Sequence, residues 1–439
     1  TPDRYDVIQA SLVDTWAATA AGAYTLTENT LYTVDAFNDY LDHLTDDGML
    51  TITRWVADGL RLVSLAQAAC EPRGWSAADR LAIVRHDRVA TFLLKKTPFT
   101  ADESARLRAI ASELGFDLLY VPPAEKGQFP LSASVEQDGD GRPQTTRPAQ
   151  DVIVDGAATG DYARLVRAAN REQFYASYRS DIRPTTDDRP FFFHTTKLEH
   201  QFDVAFGKSM LFGNGLSALL TLLGISTALV ALFVVGPLLL ADRGQTRPRG
   251  WLAWLVYFGA LGAGFMLIEV SVLQRFVLLL GHPVYSLTVT LFSLLLGTGI
   301  GAAWSRRFEA ATLRRTGAIG IMVVALLGVA VIIVAAPIIN WAIPFSRAAR
   351  MAIAVAMLVP LGIALGVPMP TGLRILSARA PQMVAWAWGM NGALSVLGAT
   401  LAIFIAMNWG FRVTLLTASA TYLISLAALL AATQPAQNQ

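Results

Sequence analysis

After Lys208 the chain has no further lysine, and only three acids, Asp242, Glu269 and Glu309, stand among 13 arginines. Between the arginines lie seven nearly uncharged stretches of 23 or more residues: 209–241, 250–274, 276–305, 316–346, 351–373, 380–411 and 413–439. Crossing the hydrocarbon core of a bilayer takes about 20 apolar residues. Residues 209–433 are therefore expected to form an all-α bundle of about seven transmembrane helices, with a polar tail at 434–439. The lipid bilayer is the first partner this implies.

The first half has the opposite balance. The 35 basic and 33 acidic residues of the whole chain divide into 22 and 30 up to residue 208, and 13 and 3 beyond it. A net charge of −8 thus gives way to +10, which marks a domain boundary. Nucleic acid is not an expected partner, because the arginines sit singly or in pairs between spans, where they act as topology signals. Cys70 is the sole cysteine, and the five histidines (His43, His86, His194, His200 and His282) are scattered, so no metal site is expected.

The soluble half alternates strand-like and helix-like segments. Tyr5–Ala10 has the apolar run of a buried parallel strand. Leu31, Val34, Phe37, Leu41 and Leu44 recur at helical spacing. Asp46-Asp47-Gly48 turns the chain into a strand at Met49–Thr53, and a helix is expected at Leu60–Ala69. Strands at Ala82–Arg85 and Val89–Leu94 join at His86-Asp87, and a helix at Ala101–Leu114 precedes a strand at Asp117–Val121. The expectation is a partial Rossmann-like α/β domain over 1–122. An excursion and linker over 123–208 follows, its first part (123–150) rich in Pro, Gly, Gln and Asp.

No signal peptide opens the chain, and no Gly-rich turn precedes Tyr5 or follows a later strand. A nucleotide-binding sheet carries that turn after its first strand. The sequence is therefore expected to begin at a middle strand, with its N-terminal part missing.

Tyr5-Asp6-Val7-Ile8 with Asp14, then Leu26-Thr27-Glu28, Tyr32 and Gly48-Met49-Leu50, resembles the spermidine synthase family of aminopropyltransferases over roughly residues 4–121. Further motifs resemble bacterial multi-pass, membrane-fused spermidine synthase-like proteins. They are Thr186-Asp187-Asp188-Arg189-Pro190-Phe191-Phe192-Phe193, Gly264-Phe265-Met266-Leu267-Ile268-Glu269, and Gln274-Arg275-Phe276 with Leu280-Gly281-His282-Pro283. Met369-Pro370-Thr371-Gly372-Leu373-Arg374 and Trp386-Ala387-Trp388-Gly389-Met390-Asn391-Gly392 complete the set. The resemblance implies a transferase using S-adenosylmethionine or its decarboxylated form, in a bacterial inner membrane.

One departure matters for the chemistry. In aminopropyltransferases the first Asp after the YDVI run deprotonates or orients the attacking amine. Here that position is Ser11, which can hydrogen-bond an amine but cannot act as a carboxylate base. Asp14 stands at the second position and Trp16 replaces a small residue. Polyamine synthesis is not the expected activity. Ser11 and Asp14 remain the candidate catalytic pair, at the strand end where open α/β sheets bind ligands.

Each other candidate has two readings. Asp14 also reads as a turn or capping carboxylate, and Glu28 as a substrate contact or an acid in a first helical turn. Asp187, Asp188 and Arg189 suit a latch, or a loop held by three phenylalanines. Glu269 is the sole acid within a predicted span, where a charge is costly unless paired or neutralised. Arg275 lies about 600° further round the helix at ~100° per residue, so Arg374 or Arg412 is the expected partner instead. Glu269, with Arg275 and His282 nearby, reads as a substrate or proton site or as a buried ion pair. Asn391 reads as a polar bond in a small-residue helix contact. Trp386 and Trp388 read as interfacial anchors or as ligand contacts. Pro368, Pro370 and Gly372 read as a break that lines a cavity or as an ordinary helix end.

Seven crossings would put the nine arginines of 242–250, 305–315 and 374–379 on one face, cytoplasmic by the positive-inside rule, and the soluble domain on the other. An adenosylmethionine-type donor calls for a cytoplasmic domain. Either one stretch is re-entrant, with 250–305 the expected place for irregular backbone, or the soluble domain is not a working transferase. Three functions remain open: a membrane-bound transferase, a degenerate scaffold partnered with other membrane-protein subunits, and a transporter built on Glu269 and the broken 368–372 segment.

Overall fold

The computed structural model describes residues 3–13, 29–123, 153–154, 157–158, 160–201, 215–241, 248 and 250–434. The chain divides into two compact units, Thr1–Leu216 and Ser217–Gln439. Asp14, Trp16, Glu28 and nearly all of the excursion at 123–150 lie outside the described residues.

In the first unit most expected elements form close to their expected bounds, but the turn expected at Asp46-Asp47-Gly48 is absorbed into a longer strand, Leu44–Trp55, as an irregularity in its pairing. The elements are strand β1 (Tyr5–Ser11), helix α1 (Val34–His43), strand β2 (Leu44–Trp55) and helix α2 (Gly59–Cys70). The hairpin of β3 (Leu81–His86) and β4 (Val89–Lys95) follows, then helix α3 (Ala101–Leu114) and strand β5 (Asp117–Tyr120). A short pair, β6 (Ile153–Val154) and β7 (Ala157–Ala158), precedes helices α4 (Asp161–Val166) and α5 (Arg171–Ser177). Helix α3 starts where Thr100 and Glu103 exchange hydrogen bonds across its first turn, satisfying two amides that have no partner within the helix.

The five-stranded sheet has the order β1-β2-β4-β3-β5. Only β1 and β2 pair in parallel; β2–β4, β4–β3 and β3–β5 are antiparallel. The sheet is therefore mixed. β1 is parallel as expected but not buried: Tyr5 and Val7 are 46% and 58% exposed. Its only sheet neighbour among the described residues is β2. Helix α2 is almost wholly buried and packs on β4 with α1 and α4 beside it, around Tyr32, Phe37, Ile52, Val63 and Phe92.

The second unit is helical: α6 (Gly215–Val230), α7 (Gly236–Ala241), α8 (Trp251–Leu280), α9 (Pro283–Ser305), α10 (Leu313–Ala342), α11 (Arg347–Leu365), α12 (Pro368–Arg379), α13 (Val384–Trp409) and α14 (Phe411–Ala432). Among the described residues six helical segments are long and apolar enough to cross a membrane, as a multi-pass membrane protein requires: α8, α9, α10, α11 with α12, α13 and α14.

In the first stretch the described helix runs without a break from Gly215 to Ala241. Between α6 and α7 the helix passes through a π turn at Ala231–Val235, where the Gly236 amide reaches back to the Ala231 carbonyl. Pro237 has no amide to continue the ordinary ladder, which accounts for the shift in register. The region 250–305, expected to be irregular, instead forms two full-length helices broken only at Gly281-His282.

Candidate functional site

The carboxyl ends of β1 and β2 coincide. Ser11, the last residue of β1, lies opposite Thr53, and the Leu12 amide donates to the Thr53 carbonyl at 3.1 Å. Two residues further along β2, Trp55 begins the wall of an open cleft of about 940 Å³. Open α/β sheets bind ligands at this edge.

Three connections build the cleft. After Trp55 a 3-10 turn, Val56–Asp58, leads into α2, so the first turn of that helix faces the space. The turn of the β3–β4 hairpin is pinned against it by the Val56 amide, which donates to the Arg88 carbonyl at 2.8 Å. The Tyr162 hydroxyl, from α4, donates to the Val56 carbonyl at 2.6 Å. Gly59 makes that approach possible, since a Cβ there would lie 2.0 Å from the Tyr162 hydroxyl. The chain after α5, through Tyr178 and Arg179, closes the far side.

Behind the cleft two buried arginines organise the unit. The Arg54 guanidinium lies 4.8 Å from the Tyr32 ring centroid and 4.7 Å from that of Phe193, and pairs with Asp58 at 3.1 Å. Cation–π and charge contacts of this kind offset the burial of a guanidinium. Arg61, only 2% exposed, donates to the carbonyls of Phe191, Phe192 and Asp181. Burial lowers its pKa to about 10, so it stays charged at neutral pH. Burial alone would raise the Asp181 carboxyl, but Arg183, Arg61 and Arg189 hold it well below the usual carboxylate range. His194 is pushed down to about 4 by burial and by Arg61, and is neutral.

Asp187 and Arg189 fasten the segment 181–194 to this same unit. The Asp187 carboxylate accepts the Thr33 hydroxyl at 2.6 Å, and the Asp187 amide donates to Asp35 at 2.9 Å. Arg189 lies 3.5 Å from Asp181. Asp188 follows Asp187 in the turn, half-buried. Burial, with Asp35 and Asp39 nearby, raises the Asp187 carboxyl to about 6 against the opposing Thr33 bond.

The remaining candidates are dispersed. Ser11 is exposed and does not line the cleft, although it shares its edge. Glu269 stands within α8, half-buried, and forms no ion pair among the described residues. Arg374, expected as its partner, instead donates to the Ser305 and Phe308 carbonyls at 2.9 Å each, closing the carboxyl end of α9. Arg275 is buried in α8, and His282 caps α9 by accepting the Val284 amide at 3.2 Å. Asn391 donates to the Phe258 carbonyl at 3.1 Å, joining α13 to α8. Trp386 is buried in the helical core and Trp388 is 58% exposed, so only Trp388 has the exposure of an interfacial anchor.

Sequence reasoning missed Trp55, Arg61, Arg88 and Tyr162. Of these only Arg88 carried a local signal, its place beside the His86-Asp87 turn. No protein family, curated protein or solved structure matches the chain.

Proposed function

We propose that this chain is a bacterial inner-membrane, spermidine synthase-like transferase. Its α/β unit reads as part of a Rossmann-like domain using S-adenosylmethionine or the decarboxylated form. The observation that carries this reading is the coincidence of Ser11, at the carboxyl end of the parallel pair, with a cleft opening at the same edge. In this reading the cleft holds the body of the acceptor, whose nucleophile reaches along the shared strand edge to Ser11. Ser11 orients rather than deprotonates the acceptor, so the acceptor brings a nucleophile that needs no carboxylate base. The soluble unit is placed on the cytoplasmic side, where the donor is made. In this reading the helix of the first stretch does not cross, and the six crossings that follow put the nine arginines on that same cytoplasmic face.

Calorimetric titration of S-adenosylmethionine and its decarboxylated analogue into the purified full-length protein tests this. Micromolar binding of either supports the reading; no binding of either, with the fold intact, defeats it. The alternative is a non-catalytic subunit of a membrane assembly. Ser11 in the base position favours that alternative, and the same titration decides between them.

A further inference from the structure

The charges lining the cleft are unevenly occupied. Of its carboxylates, Asp58 is held by Arg54 at 3.1 Å. Asp161 is held by Arg164 at 3.0 Å and by the Tyr178 hydroxyl at 2.9 Å. Among its arginines, Arg85 is committed to Asp117 at 2.6 Å. Arg88 and Arg179, both exposed and both lining the cleft, form no ion pair among the described residues, and Arg179 makes a side-chain hydrogen bond to Tyr178. Deeper in the wall, the Nε of Arg61 is buried without a hydrogen-bond partner. The first turn of α2 contributes a positive helix end, and the Asp58 side chain turns to Arg54 rather than capping it.

The hairpin turn itself is strained. Asp87 has a φ of +51°, a left-handed conformation that disfavours residues with a Cβ. Strain of this kind persists where surrounding structure over-determines it, often at ligand sites. Here the Val56 amide fixes the Arg88 carbonyl, and with it the point from which the Arg88 side chain leaves the turn. Trp55 adds a ring 40% exposed to solvent, an apolar platform beside these cations.

We infer that the cleft holds its ligand by an oxyanion, phosphate or carboxylate, gripped by Arg88 and Arg179, with an apolar or planar body laid against Trp55. Guanidinium groups match both oxyanions through paired N–H donors. Asp87, the lining carboxylate left without a partner, opposes this binding and excludes more highly charged anions. The inference rests on the proposed function only in naming that ligand as the acceptor. It turns the expected acceptor away from a polyamine and towards an anionic molecule.

The test is calorimetry on the purified full-length protein with phenyl phosphate, benzoate and spermidine, without any donor. One of the two anions binds and spermidine does not; whichever anion binds identifies the oxyanion. Arg88→Ala and Arg179→Ala each weaken that binding about tenfold, as loss of one charged hydrogen-bonding partner does. Arg88→Lys restores part of it, and Asp87→Asn tightens it about threefold by removing a like charge. Both arginines are exposed, so an unchanged melting temperature confirms that the variants fold. Spermidine binding in place of the anions, no anion binding, or anion binding indifferent to both arginine variants overturns the inference. Anion binding without binding of either adenosyl donor leaves the inference standing and removes only the transferase reading.

Discussion

The Asp187 carboxylate and the Thr33 hydroxyl meet at 2.6 Å, and that same hydroxyl accepts the Ala36 amide that opens α1. One short contact thus ties residue 187 to a helix cap 154 positions earlier in the chain. The nearby carboxylates of Asp35 and Asp39 make it sensitive to pH. In the folded protein the Asp187 carboxyl titrates at about 6, against 3.8 for an ordinary aspartate. A raised carboxyl favours the protonated folded state, so its contribution is fullest below pH 4 and is lost as pH rises through 6.

Asp187→Asn therefore stabilises the protein above pH 6, by about 1 kcal/mol once partial exposure to water is allowed for. The amide oxygen still accepts the Thr33 hydroxyl. Thermal melts in detergent from pH 4 to pH 8 check this. A variant melting below the parent at pH 8, or keeping the parent's slope between pH 4 and 6, would contradict it.

Arg61 holds three carbonyls from a segment more than a hundred residues away. Arg61→Ala strands those acceptors and the Asp181 carboxylate, a loss of about 3–5 kcal/mol. Arg61→Lys keeps the charge but not the fork of donors, and costs about 2 kcal/mol. Limited proteolysis is expected to cut first within 160–201 in both variants. Parent-like resistance of Arg61→Ala would rule out this bracing role.

In the helical unit, a Cβ on Gly301 would lie 2.0 Å from the Ile363 carbonyl oxygen, because α9 and α11 meet backbone to backbone. Gly301→Ala forces the pair apart, at about 1–3 kcal/mol. Gly299, two residues away, has open space around it. Gly299→Ala should melt with the parent, whereas Gly301→Ala melts lower. Equal melting of the two variants would place the α9–α11 contact elsewhere.

Cys70 is buried, and burial pushes its thiol up to about 11. At pH 8 about one thiol in a thousand is then ionised, so the folded protein resists thiol reagents. Maleimide labelling is expected to wait for unfolding and to track it in urea. Rapid stoichiometric labelling of the folded protein would show that the site opens.

Local structure was largely legible. Ala101–Leu114 carries its own capping pair, and the two hairpin strands flank a turn that is visible as His86-Asp87. The mixed sheet was not legible. Where β4 inserts depends on its pairing with β2, and an antiparallel neighbour leaves the same apolar run as a parallel one. Arg61 looked like one polar residue in an apolar helix; its partners lie 120 to 131 positions away. Glu269 stood out correctly as an acid within a span, but its expected pairing with Arg374 depended on helix ends that composition does not position.

By itself the sequence determined that the second half is apolar enough for a bilayer, and where most helices and strands lie. Both follow from short-range physics: the transfer of side chains out of water, and the periodicities of helix and strand. Only the tertiary structure decided the cleft. Its walls come from residues near 55–61, 87–88, 161–162 and 178–180, and no local pattern relates them. They meet because hydrogen bonds at Val56 bring a hairpin turn and a distant helix to the end of one strand.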